Sequence, residues 1–314
     1  MTSASTSIPA SRPAGRGGGW WRSRRRSRQL LGLLYVAPTA TFVAVFFIVP
    51  LVLVTRMSAS TWPLIAGDKG LNFPDNYAAI EANSLFWPAV WFTIEYTVLV
   101  TVLLIGMGLG LALLIQTGGK WKGLLRTAFL MPSAMGLASA SLLFWGLYSD
   151  SIGPINPILQ QLQLAKDPIQ FLGDPLSALL STTFLIVWRF AGFYMLILLV
   201  GLQAIPRDLY EAASIDGANR WHTFRYITIP LLRRSLALSL ILCITGSLLA
   251  FDQFFILTKG GPDNSTITVV QLIYRAAFQR LNLGTAAAIS MVILAVLLVL
   301  NAVQFRALRG SEAS

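Results

Sequence analysis

Residues 211–230 of this chain read EAASIDGANRWHTFRYITIP, a polar island between two long apolar runs. Pro206 suits the first turn of a helix, where its missing N–H costs nothing. Glu211-Ala212-Ala213 continue as good helix formers. The sequence therefore predicts a short helix that begins just after Pro206 and leads into the polar island.

A glycine and a proline divide the rest of this stretch. Gly217 suits the left-handed conformation that closes a helix. A second short helix is expected over about residues 219–228, with Pro230 ending it because proline cannot continue a helix hydrogen-bond ladder. Helix, glycine turn and helix together predict a compact docking surface.

The composition around this island is that of an integral membrane protein. Of 314 residues, 55% are hydrophobic and 12% are charged, which is too little charge to cover a soluble globule of this size. A helix needs about 20 apolar residues to cross the hydrocarbon core. Six runs reach that length, the third interrupted by Pro132: residues 30–54, 89–115, 124–148, 176–202, 235–257 and 286–305. The sequence predicts an all-α membrane protein with six transmembrane helices.

Basic residues are divided unevenly between the two sides of these six spans. With the N-terminus inside, seventeen of the 24 Lys and Arg residues lie on the cytoplasmic side, six lie outside, and Arg189 lies within a span. The positive-inside rule then places both termini and residues 211–230 in the cytoplasm. Residues 1–28 are expected to be a disordered basic tail that contacts anionic lipid rather than nucleic acid, 29–306 the transmembrane domain, and 307–314 a second cytoplasmic tail.

The 211–230 stretch resembles the EAA motif of ABC importer permeases. The resemblance rests on Glu211-Ala212-Ala213, on Gly217, and after nine residues on Ile227-Thr228-Ile229-Pro230, in which Ile229 stands where the family usually has Leu. Asp216-Gly217-Ala218 and Gly260-Gly261-Pro262 resemble the carbohydrate-uptake branch, with its maltose-type and glycerophosphate-type permeases. The resemblance covers about residues 30–306 and implies the type I importer permease fold, with residues 205–232 as the coupling-helix loop.

The resemblance also implies partners in the cytoplasmic membrane of a prokaryote. These are a second homologous permease, two cytoplasmic ATPase subunits and an extracytoplasmic solute-binding protein. The residues that would couple this chain to the ATPase are Glu211, Ala212, Ala213, Asp216, Gly217, Ile227 and Pro230. The segment Gly118-Gly119-Lys120-Trp121 lacks the first Gly and the Ser or Thr of a phosphate-binding loop. The chain is therefore expected to be no enzyme and to hold no cofactor, with ATP and Mg in the partner subunits.

Three ionisable residues interrupt the apolar spans: Glu95, Arg189 and Asp252. A charge near the bilayer centre costs about 2.5 to 3.5 kcal/mol on insertion scales, so each should face a protein interior or a wet cavity. One interpretation is an ion pair of Arg189 with Asp252 or Glu95 that only holds helices together. The other is a substrate path formed by Arg189, Phe193, Tyr194, Ser247, Asp252, Gln253 and Glu95.

The counts of cysteine and histidine exclude several kinds of reactive site. Cys243 is the only cysteine and His222 the only histidine, which excludes an intrachain disulfide and the Cys/His patterns of zinc and nucleophilic sites. No metal site is expected.

Two further segments allow more than one interpretation. Gly106, Gly108 and Gly110 favour close helix packing over a pore lining. Residues 258–285 fit either a surface turn with an interfacial helix or a docking site for an external partner.

The function predicted from these residues is an ATP-driven importer permease for a sugar or sugar-like solute. An alternative within the same class is glycerol phosphate or a glycerophosphodiester, received by Arg189. An alternative from another class is a proton-coupled secondary transporter that uses Glu95, Arg189 and Asp252 as a relay. An intramembrane enzyme is the least supported alternative.

Overall fold

The computed structural model describes residues 34–116 and 119–310 of the chain. The predicted tail at 1–28 and the last residues of the second tail lie outside them. The chain divides into two compact units, Met1–Val54 and Thr55–Ser314. Within the described ranges the secondary structure is helical, apart from two isolated bridges that join Ser60 to Leu71 and Pro63 to Asn282.

The helices are numbered in chain order. The first group is α1 Leu34–Ser58, α2 Asp75–Glu81, α3 Phe86–Ile115, α4 Lys120–Leu130, α5 Leu137–Tyr148, α6 Ile155–Gln161 and α7 Pro175–Gln203. The second group is α8 Arg207–Ile215, α9 Arg220–Thr223, α10 Ile229–Leu248, α11 Asp252–Leu257, α12 Val269–Tyr274 and α13 Leu283–Gly310.

Five of the described helical segments are long and apolar enough to cross a membrane: Leu34–Ser58, Phe86–Ile115, Pro175–Gln203, Arg220–Leu257 and Leu283–Arg306. A sixth is obtained if α4, its following turn and α5 count as one span bent by 94°. The predicted fold class, an all-α membrane protein with six spans, is confirmed. The third span is not a straight helix, because Pro132 lies in a 3-10 turn, Met131–Ala134, and Met135 then adopts an extended conformation.

The prediction that Pro230 ends a helix is wrong. Helix α9 runs through a π-helical turn, Phe224–Thr228, and continues directly into α10. Proline has no N–H and its ring collides with the carbonyl of the fourth preceding residue. A π-turn just before Pro230 widens the helix there and shifts that carbonyl. The same order occurs in α1, where the π-turn Ala44–Ile48 is followed by Pro50.

Helix α7 lies at the centre of the second unit, where it packs against α3, α10 and the bend before α5. Its first turn is capped by Asp174, whose carboxylate accepts from the N–H groups of Leu176 and Ser177 at 3.1 Å. Hydrogen bonds from the side chain and backbone of Ser177 lower the pKa of Asp174. Further along, a Cβ on Gly192 would overlap the carbonyl oxygen of Phe129. Close approach of the two backbones therefore requires glycine at 192.

Of the three glycines predicted to pack helices, one does so within this chain. A Cβ on Gly108 would lie 3.0 Å from Cβ of Tyr194 on α7. Gly106 and Gly110 have nothing within 4 Å of the position where a Cβ would stand. They face away from the packed side of α3.

Candidate functional site

A cavity of about 330 Å³ lies where the helix formed by α9 and α10 breaks before α11. Its walls come from α3, α5, α7, α10 and α11, and the break itself contributes residues 249–251. Small-molecule sites in proteins begin at roughly this size, about 300 Å³. The cavity is therefore the candidate binding site of this chain.

The helix break at residues 249–251 shapes one wall of the cavity. The carbonyl oxygen of Ala250, freed by the break, accepts a hydrogen bond of 2.8 Å from Oγ1 of Thr268, which precedes α12. Non-helical backbone at membrane depth is tolerated only where protein buries it or where it lines a cavity. The break turns the chain so that Asp252 and Gln253, the first residues of α11, both line the cavity.

Gln253 and Tyr96 form a buried polar pair on this wall. Nε2 of Gln253 donates to the hydroxyl of Tyr96 at 3.0 Å, and the two residues are 3% and 1% exposed. The Tyr96 ring packs edge-on against Phe254, with 4.8 Å between centroids. Oε1 of Gln253 has no hydrogen-bond partner among the described residues. Gln253 thus brings to the cavity wall an amide whose oxygen is buried and unpaired within the described residues, and a buried acceptor left unpaired is costly.

The structure brings five of the seven predicted path residues into one lining: Phe193, Tyr194, Ser247, Asp252 and Gln253. The rings of Phe193 and Tyr194 meet edge to face at 5.4 Å. Aromatic faces, a hydroxyl, a carboxylate and an amide therefore surround the same space, a combination typical of sites for polar organic ligands.

Arg189 does not line the cavity, and neither predicted ion pair forms. Its guanidinium donates from Nε at 2.9 Å and from Nη2 at 2.6 Å to the carbonyl oxygen of Met135, at the bend before α5. The same group lies 4.2 Å from the centroid of the Phe190 ring. The charge is therefore used to hold the bent span.

Glu95 is the other predicted path residue outside the cavity. It is exposed on α3, on the side opposite the buried Tyr96 stripe. Glu95 thus faces away from Asp252 and from the cavity.

Tyr96 and the helix break were missed in the sequence. Tyr96 shares the buried face of α3 with Phe92, Val100 and Leu104, so a hydroxyl at helical spacing among large apolar side chains was the available signal. The break at 249–251 contains neither Gly nor Pro. The Ala250 carbonyl within it is bound by a side chain 18 residues away, a contact that no local pattern indicates.

The 211–230 stretch forms the second structural feature of interest. Helix α8 is followed by Gly217 at φ +76°, and Asn219 then caps α9 by accepting the N–H of His222 at 2.9 Å. The hydroxyls of Tyr210 and Thr228 lie 3.2 Å apart and join the two helices. The result is a helix, a left-handed glycine and a second helix, in that order.

The seven predicted coupling residues differ in exposure. Glu211, Ala212, Asp216, Gly217 and Pro230 are exposed, Ile227 is half-buried and Ala213 is buried. Ala213 therefore packs inside this chain. Large apolar side chains stand exposed beside this set, with Ile215 at 86%, Trp221 at 67% and Tyr226 at 69%. Apolar groups exposed among polar ones mark a protein interaction surface.

Residues 103–309 match the family described as the binding-protein-dependent transport system inner membrane component. The chain belongs to this family. The resemblance to importer permeases drawn from residues 211–230 is thereby confirmed.

Individual members of the family are similar over most of the chain. The sulfoquinovosyl glycerol transport system permease protein SmoG of Agrobacterium fabrum is 32% identical over 295 residues, which cover 93% of this chain and 95% of the relative. The trehalose/maltose transport system permease protein MalF of Thermococcus litoralis is 35% identical over 254 residues, 81% of this chain and 84% of the relative. The lactose transport system permease protein LacF of Rhizobium radiobacter is 32% identical over 293 residues, which cover 91% of this chain and 97% of the relative.

The fold of this family member matches a solved transporter. A chain of a bacterial ABC transporter involved in the import of the acidic polysaccharide alginate superimposes with a TM-score of 0.78, at 23% identity, covering 94% of this chain and 98% of that one. The predicted type I importer permease fold is therefore confirmed. As an inner membrane component of this family, the chain is a multi-pass membrane protein of a binding-protein-dependent system.

Proposed function

We propose that this chain is the permease subunit of an ATP-driven ABC importer that carries a neutral polyhydroxylated solute, a sugar or a small glycoside. The observation that carries the solute class is the buried Gln253 amide, held at one end by Tyr96 and unpartnered at the other, on the wall of the 330 Å³ cavity. A solute hydroxyl supplies the missing donor. The relatives named for sulfoquinovosyl glycerol, trehalose or maltose, and lactose carry solutes of this chemical type.

The charges around the cavity argue against the phosphate alternative. Arg189 does not line the cavity and donates from Nε and Nη2 to the Met135 carbonyl, and the charged side chain that does line the cavity is the carboxylate of Asp252. A phosphate needs charge-assisted donors such as a free guanidinium. Next to a carboxylate, a neutral solute is the better fit.

The proton-relay alternative lacks the geometry it requires. Glu95, Arg189 and Asp252 would have to exchange protons with one another or through water. Glu95 faces out of the helix bundle, Arg189 binds a backbone carbonyl, and only Asp252 reaches the cavity. The three residues therefore form no chain of donors and acceptors.

A continuous helix connects the exposed coupling surface to the wall of the cavity. α8 and α9 present the exposed coupling surface, and α9 continues without a break into the 20 residues of α10. At 1.5 Å per residue α10 alone extends about 30 Å, and it ends at the break that lines the cavity. A partner that moves α8 and α9 as a rigid body moves this cavity wall, which is the behaviour expected of alternating access.

The proposal includes the remaining subunits. One of two cytoplasmic ATPase subunits docks on α8 and α9 and contacts Glu211, Ala212, Asp216 and Gly217, and the two ATPase subunits bind ATP and Mg. A second homologous permease completes the membrane part, and an extracytoplasmic solute-binding protein delivers the solute. Both termini lie in the cytoplasm, in keeping with the distribution of basic residues. This chain is then a transport component and no enzyme.

The test is uptake by the complete, co-expressed importer in proteoliposomes supplied with its binding protein. We expect uptake of a labelled sugar to require ATP on the side of the membrane that carries the ATPase subunits. Glycerol phosphate should not inhibit this uptake. Gln253→Leu should weaken uptake, whereas Thr245→Val on the α10 side away from the cavity should not. Uptake by this chain alone, driven by a proton gradient without ATP, would refute the proposal.

A further inference from the structure

Helix α3 has one packed face and one bare face. The packed face carries the buried stripe of Phe92, Tyr96, Val100 and Leu104. On the opposite face Glu95 is exposed, between Trp91 at 67% exposure and Val102 at 66%. This opposite side, lined by Trp91, Glu95, Val98, Val102, Gly106 and Gly110, is called the Glu95 face.

A carboxylate on this face has no partner within the described part of the chain. Glu95 is the tenth residue of α3, so it lies about 14 Å along the axis from the start of the helix and well inside the span Phe86–Ile115. An ionisable group at that depth is costly in lipid and is found facing protein or water. The Glu95 face therefore requires a cover that supplies a positive charge or strong hydrogen-bond donors.

Among residues 34–116 and 119–310, no basic side chain forms a salt bridge with Glu95. Residues 34–54, the apolar part of α1, contain no Lys, Arg or His. Arg189, the basic residue inside α7, is bound to the Met135 carbonyl. A second copy of the chain that contacted this face symmetrically would bring Glu95 against Glu95, and like charges repel. Charge complementarity thus points to a membrane protein of different sequence.

The two open glycines supply the room for a closely packed helix. Gly106 and Gly110 are four residues apart and lie on the same side of α3 as Glu95 and Val102, and neither has an atom within 4 Å of its missing Cβ. Small residues at this spacing let a second membrane helix approach the backbone. Next to them, Trp91 offers a large aromatic surface of the kind enriched at protein interfaces.

We propose that the Glu95 face is the contact with a transmembrane helix of the second permease subunit, and that this helix places a Lys, Arg or His side chain opposite Glu95. The inference rests on the proposed function, which requires that second subunit. The bond between the two chains is a charge-assisted hydrogen bond at the level of Glu95, with the partner helix crossing α3 over Gly106 and Gly110.

Photo-cross-linking in the co-expressed complete importer tests the location. Benzoylphenylalanine is placed at Trp91, an aromatic-for-aromatic change, and in a matched control at Val299, which is 65% exposed on α13. We expect a product with the mass of both permeases from position 91 and none from position 299. A product with only lipid, or with a second copy of this chain, from position 91 overturns the proposal. If no second permease co-purifies with the wild-type chain, the proposed function fails instead.

Charge reversal tests the chemistry of the contact. In Glu95→Lys we expect recovery of the second permease on a tag carried by this chain to fall about tenfold, while Glu95→Gln, which keeps hydrogen-bonding groups, retains most of it. Suppressors selected in the second permease should replace a basic residue by Asp or Glu. Unchanged recovery in Glu95→Lys, with normal membrane insertion, would show that nothing cationic faces Glu95.

Discussion

The carbonyl oxygen of Met135 accepts two hydrogen bonds from Arg189, one from Nε and one from Nη2. In return Oγ of Ser133 donates to the carbonyl oxygen of Arg189 at 2.7 Å. The two bonds to Met135 fall at the 94° bend between the 3-10 turn and α5, where the backbone loses its helical partners. A charged side chain from α7 thus closes the open end of a broken membrane span.

Removing this clamp should loosen the bend. In Arg189→Leu the Met135 carbonyl is left without its partner, at a cost of about 1–3 kcal/mol. Arg189→Lys should lose less, since an ammonium still donates but lacks the planar fork. The measurement is the thermal unfolding of the detergent-solubilised complex, with Ser133→Ala as the smaller perturbation. Equal stability of Arg189→Leu and wild type would contradict the role of the clamp.

The Gln253 and Tyr96 pair should affect solute recognition more than folding. Gln253→Leu removes the unpartnered acceptor from the cavity wall, so the apparent KM for the sugar should rise about tenfold, equivalent to the net value of one hydrogen bond. Tyr96→Phe leaves the ring packing against Phe254 in place and only frees the amide, so we expect a smaller rise. Concentration-dependent uptake measures both. The idea is wrong if both variants show wild-type KM.

The turn at Gly217 depends on its backbone conformation alone. At φ +76° a residue with a Cβ is strained, although no atom lies within 4 Å of the Cβ position. Gly217→Val should therefore distort the α8–α9 surface and abolish most uptake, with normal membrane insertion. Gly217→Asn should retain far more, because asparagine tolerates the left-handed region. Uptake and membrane quantity are measured together, and similar losses in both variants would refute the conformational explanation.

The contact at Gly192 depends on the absence of a side chain between two close backbones, and not on a special backbone conformation. In Gly192→Ala the new methyl group would overlap the Phe129 carbonyl, and such overpacking typically costs about 1–3 kcal/mol. Gly146→Ala on α5 is the matched control, because nothing lies within 4 Å of its Cβ position. We expect lower membrane yield and lower unfolding temperature for the first variant only. Indistinguishable variants would mean that α4 and α7 can separate at no cost.

The sequence by itself determined the features that depend on local chemistry. Apolar runs of sufficient length predicted the spans because a bilayer requires them, and Gly217 predicted the left-handed turn because side chains disfavour it. Pro132 marked the interrupted third span. The family resemblance followed from residues 211–230, which adjoin each other in the chain. Pro230 was the local signal that failed, since the π-turn before it lets the helix continue.

Only the tertiary structure decided the partners of the polar groups. In the helix break at 249–251 the Ala250 carbonyl is bound by Thr268, and at the bend before α5 the Met135 carbonyl is bound by Arg189. Whether Glu95 faced the cavity or the outside depended on which side of α3 packs against α7. These are contacts between residues far apart in the chain, and a hydrogen bond or a packed face is fixed only when both sides are in place. For that reason the sequence indicated that Arg189, Asp252 and Glu95 need partners, and the fold assigned each a different one or left it open.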